Sequence, residues 1–94
     1  MDGTSETQGL NLDAWVALLQ AVPGLESARI TRDEQRALLD LTRVAAHRSE
    51  RIAAPITAFL VGLALAPLEP EVRAGKIREL AIRLDAGEGA SSGA

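Results

Sequence analysis

The stretch AHRSERIAAPITAFLVGLALA, Ala46–Ala66, decides how the chain folds. Its first half ends an amphipathic pattern with a histidine and alternating charges. Its second half is apolar nearly all round. Ile56, Phe59, Leu60, Leu63 and Ala64 form the strongest face, and Val61 and Leu65 occupy the other side. Pro55 suits the first turn of a helix, so a third helix is predicted to begin there. A helix without a polar face is expected to be central and buried. Ala58, Gly62 and Ala66 recur every four residues and predict a groove where a neighbouring helix packs closely.

The apolar run is too short for a membrane. Ile52 to Leu68 is uncharged for 17 residues, a spanning helix needs about 20, and Pro55 and Pro67 bracket the helical part.

Three further helices flank this segment. In NLDAWVALLQAVPGL, residues Leu12, Trp15, Val16, Leu19 and Val22 share one helical face. Asn11 is the expected N-cap, Asp13 favours the positive end of the dipole, and Pro23-Gly24 stops the helix. Trp15, the only tryptophan, is expected to anchor the core. The second helix is predicted from Arg32 to about Glu50. Thr31 and Glu34 form a capping box before it, and Ala37, Leu38, Leu41, Val44 and Ala45 form its stripe. The fourth opens at Glu69-Pro70-Glu71. Val72, Ile77, Leu80, Ala81 and Leu84 form its apolar face, and Gly87 terminates it.

No segment alternates with period two, so no sheet is predicted. The expected fold is all-α: a small antiparallel four-helix bundle with a central apolar third helix and disordered tails. One domain covers residues 10–86, and the polar tails are 1–9 and 87–94. Short connections favour antiparallel neighbours.

Composition narrows function. The 94 residues carry 13 acids and 10 bases, a net charge of −3. Three of the acids, Asp2, Glu6 and Glu88, lie in the tails, so the body is neutral. A neutral body argues against nucleic acid or a membrane surface as partner. Cysteine is absent, which excludes disulfides and thiolate chemistry. The amino terminus has no basic residue and no apolar run, so it does not read as a signal peptide, and a cytoplasmic location is expected. With one histidine, no metal site, cofactor or catalytic group is expected.

One constellation invites a functional reading. Arg36, Asp40, Arg43, His47 and Arg51 lie on one stripe, at steps of 4, 3, 4 and 4. The start of the third helix follows at once, and free amides at a helix start attract anions. Arg43, His47 and Arg51, with the Thr57 hydroxyl, could meet around a phosphate or carboxylate. Equally, the same residues could form solvated ion pairs and cap the helix end.

LDAWVALLQAVPGL followed by LLDLTRVAAHRSERIAAPITAFLVGLALA resembles a family of small helical bacterial domains. Its members occur alone or with molybdopterin-guanine dinucleotide biosynthesis proteins, the molybdenum cofactor guanylyltransferases. The resemblance spans about Leu12 to Leu84. Its specific part is Ala46-His47, Arg51, Ala53 to Thr57, Phe59-Leu60 and Gly62-Leu63. Ile52 stands where that family usually has proline. The resemblance implies a non-enzymatic accessory domain with a guanylyltransferase as partner. The chain lacks the transferase's own Gly-rich nucleotide loop. The alternatives are an anion-binding module and a helical homodimer built on the Ala58, Gly62 and Ala66 groove or on an exposed apolar side of the third helix.

Overall fold

A computed structural model describes residues 10–87; of the tails expected at 1–9 and 87–94, only Gly87 lies within the described residues. Four helices follow in order: α1 (Leu12–Gln20), α2 (Arg32–Arg48), α3 (Ala53–Leu65) and α4 (Pro70–Asp85). There is no strand among the described residues, so the fold is a small all-α bundle.

Local chemistry sets the helix starts. Asn11 caps α1, its side chain accepting from the Ala14 N–H at 2.8 Å. Thr31 and Glu34 form the full capping box of α2. The Glu34 N–H donates to the Thr31 hydroxyl and the Thr31 N–H donates to Glu34 Oε1, so two otherwise orphaned donors are satisfied. Pro70 opens α4. α3 begins two residues before Pro55, on a turn in which the Ala53 N–H donates to the Glu50 carbonyl.

The centre of the molecule is α2. Ala37, Leu41, Val44 and Ala45 are buried on it, as its periodicity predicts. From α4, Ala74, Ile77 and Ala81 are buried. Ala37, Leu41, Ile77 and Ala81 form the core, with Leu38, Val61, Leu65, Leu80 and Leu84 packed around it. α2 and α4 run in the same direction. Glu34 pairs with Arg73 near their starts, and at their far ends Arg48 lies against Gly87. α3 packs against α2 and runs back antiparallel to it.

Two expectations are corrected here. α3 is not the central buried helix: it has no buried residue. Its smaller face, with Val61 and Leu65, turns inward. Ile52, Ile56, Phe59, Leu60 and Leu63 face outward, each 59–69% exposed. A helix that is apolar on every side does not encode which side goes in. The neighbouring surfaces choose, and α4 covers α2 rather than the outside of α3. Trp15 is not a core anchor either; it is 47% exposed. α1 joins the rest through polar ties: Arg32 to Asp13 at 2.9 Å, and the Gln20 amide to the Ala28 carbonyl at 2.9 Å. About half of Trp15 stays in solvent, because no second helix packs over its face.

Candidate functional site

The charged stripe on α2 is solvated. Arg43 donates to Asp40 at 2.7 Å, and both side chains are more than half exposed; this bond holds the Arg43 guanidinium above its ordinary pKa. His47 is exposed in the last turn of α2, Arg51 is exposed in the connection, and Thr57 is half-buried on α3. No hydrogen bond or ion pair joins His47, Arg51 and Thr57 among the described residues. The α3 amides are largely engaged. The Ala53 N–H donates to the Glu50 carbonyl and the Ala54 N–H to the Arg51 carbonyl, while Pro55 has no N–H to offer. The turn thus consumes the donors that an anion would need.

The small-residue stripe lines a cavity instead of a tight helix contact. A cavity of about 380 Å³ is bordered by Ala58, Gly62 and Ala66 on one side and Leu38 and Ile77 on the other. A Cβ added at Gly62 would meet nothing within 4 Å, so no helix approaches closely there.

At one end of this cavity stands the main polar feature of the interior, which the sequence reading passed over. Glu34 is only 3% exposed. Its carboxylate takes a bidentate pair of bonds from Arg73: Nε to Oε2, and Nη2 to Oε1 at 3.0 Å. Arg73 also donates to the Leu68 carbonyl at 2.9 Å and the Arg29 carbonyl at 3.4 Å. The hydrogen bonds from Arg73 hold the Glu34 carboxyl below its ordinary pKa, against the opposing effect of burial. Because both partners are satisfied, the pair is a clasp between α2 and α4. The signal was present: Glu34 lies on the stripe of Ala37, Leu38 and Leu41, and Arg73 on that of Ile77, Leu80 and Leu84. An acid and a base at the same ends of two apolar stripes predict such a clasp.

A family of domains described as "Domain of unknown function (DUF6457)" matches residues 7–90. The chain belongs to that family. No curated protein and no solved structure matches it.

What this DUF6457 chain displays most openly is apolar surface. Among the described residues, fifteen large apolar side chains are exposed, whereas of the buried apolar ones only Leu41, Val44 and Ile77 are larger than alanine. The exposed set includes Leu12, Trp15, Leu18 and Leu19 along α1 and Val22 just after it, besides the outer face of α3. Among the described residues no cluster of acids and histidine is arranged to hold a metal, and no helix is long and apolar enough to cross a membrane.

Proposed function

We propose that the chain is a non-enzymatic accessory domain that works by docking onto protein. The observation that supports this is the outward face of α3. Scattered apolar side chains on a surface are ordinary, but a contiguous helical face is a sign of an interaction site. Ile52, Ile56, Phe59, Leu60 and Leu63 retain about three-fifths of their exposure. Covering them would contribute roughly 1–2 kcal/mol each. The sum approaches the stability of a whole domain, about 5–15 kcal/mol.

The accessory role in molybdenum cofactor biosynthesis, with a guanylyltransferase as partner, is supported by the resemblance of Ala46-His47, Arg51 and Ala53 to Thr57 alone. Titration of the labelled full chain with a guanylyltransferase from the same cell tests it. Binding at micromolar concentration is expected, with a blue shift of Trp15 emission if α1 joins the contact. No binding at that concentration removes this partner and leaves docking itself to be tested with others.

A further inference from the structure

The outer face of α3 has the pattern of a packing seam. Ile52, Ile56, Phe59 and Leu63 follow at steps of 4, 3 and 4, the spacing with which one helix meets another. All four are more than half exposed. No ionisable group lies between Ile52 and Leu68, and charge resumes just beyond each end. Arg48, Glu50 and Arg51 flank the start of α3, two bases against one acid. Glu69 and Glu71 flank its end. All five are exposed. Phe59 is the middle residue of the thirteen.

An occupant of this face must therefore be apolar and uncharged over about 20 Å, the length of thirteen helical residues. It must also carry acid where it meets Arg48 and Arg51, and base where it meets Glu69 and Glu71. A second copy of α3, laid antiparallel, meets every condition. The two-fold places the basic end of each helix against the acidic end of the other and opposes the two helix dipoles. A parallel copy would set like charges together.

We propose that the chain pairs with a second copy of itself through the outer face of α3, antiparallel, with Phe59 at the two-fold axis. This rests on the docking function and names its partner. The seam is the face opposite Val61 and Leu65, which turn toward the core.

Sedimentation equilibrium of the full chain across the micromolar range tests the pairing. A mass of two chains is expected, falling to one in Phe59→Glu with the helical circular dichroism retained. Ile82→Glu, at an equally exposed apolar position on α4, is expected to leave the mass doubled. Arg51→Glu should weaken pairing by roughly tenfold, because the reversed charge occurs twice across the axis, and mixing with a Glu69→Arg, Glu71→Arg chain should restore it. The absence of cysteine permits a direct readout if Phe59→Glu unfolds the chain. Under oxidation Leu60→Cys should cross-link to a dimer, and Ile82→Cys should not. A single-chain mass throughout, a doubled mass in folded Phe59→Glu, or equal cross-linking of the two cysteine variants overturns the proposal. None of these outcomes touches docking onto a different protein, which the guanylyltransferase titration reads separately.

Discussion

α2 and α3 are neighbours joined by a four-residue turn, and both carry generous apolar residues, yet they are used in opposite ways. α2 has one apolar stripe and a charged back. Its stripe is buried at Ala37, Leu41, Val44 and Ala45 and half-buried at Leu38, and the clasp of Glu34 and Arg73 ties it to α4. α3 has apolar residues on every side and no charge, and more than half of the outward set stays in solvent. Amphipathicity, rather than hydrophobicity, determines whether a helix is completed within one chain. A helix with two apolar faces has one to spare. α4 is packed through Ala74, Ile77 and Ala81, whereas α1 also has one apolar face but no helix covers it, and polar ties hold it.

The sharpest way to break this comparison is to attack the clasp. Arg73→Ala should be the most destabilising of these changes, because it leaves the Glu34 carboxylate, only 3% exposed, without its partner. Thermal unfolding should show a larger fall in melting temperature than for any substitution below. The clasp also predicts a pH response. The Glu34 carboxyl titrates below its ordinary value in the folded chain. Its contribution is thus complete above the ordinary carboxylate range and is lost as the pH falls through the lowered value. The difference in melting temperature between the natural chain and Glu34→Gln should narrow on acidification. A constant difference would mean that the pair contributes no ionic stabilisation.

A smaller effect is expected where the ends of α2 and α4 meet. Gly87 has φ +81°, and a Cβ there would lie 2.8 Å from Arg48 Nη2. Gly87→Ala should cost about 1–2 kcal/mol, chiefly from the left-handed backbone, measured by denaturant unfolding. The smallest effect is expected on the open side. Trp15→Ala should cost well below the roughly 3–5 kcal/mol of a core aromatic, because about half of the side chain is already in solvent. Acrylamide should quench Trp15 fluorescence readily in the folded chain. A core-sized loss at Trp15 would erase the distinction between the two halves.

Much of this was legible in the residues. Thr31 and Glu34 announced the start of α2 because a capping box is a local contact three residues long. The α2 stripe was legible because its opposite face is charged, leaving one orientation. α3 was legible as a helix but not in its orientation, since its sequence offers two apolar faces and the choice depends on α4. Trp15 misled for a related reason: helical spacing shows which residues share a face, not whether anything lies over it. On the candidate anion site, residue spacing placed Arg43, His47 and Arg51 on one stripe. It did not reveal that the turn before α3 would occupy the Ala53 and Ala54 amides, because those bonds depend on the conformation of Glu50 to Ile52.

The carboxylate of Glu34 also couples two events remote in sequence. Oε1 accepts from the Thr31 N–H at the start of α2 and from Arg73, 39 residues further on. A first helical turn ordinarily frays, opening independently of the rest of a protein. Here Arg73 holds in place the carboxylate that caps the turn, so opening of the first turn of α2 should be coupled to release of α4. In hydrogen exchange, the Thr31 and Glu34 amides should be protected nearly as long as that of Leu41, whereas the start of α3, which has no such bond, should exchange earlier.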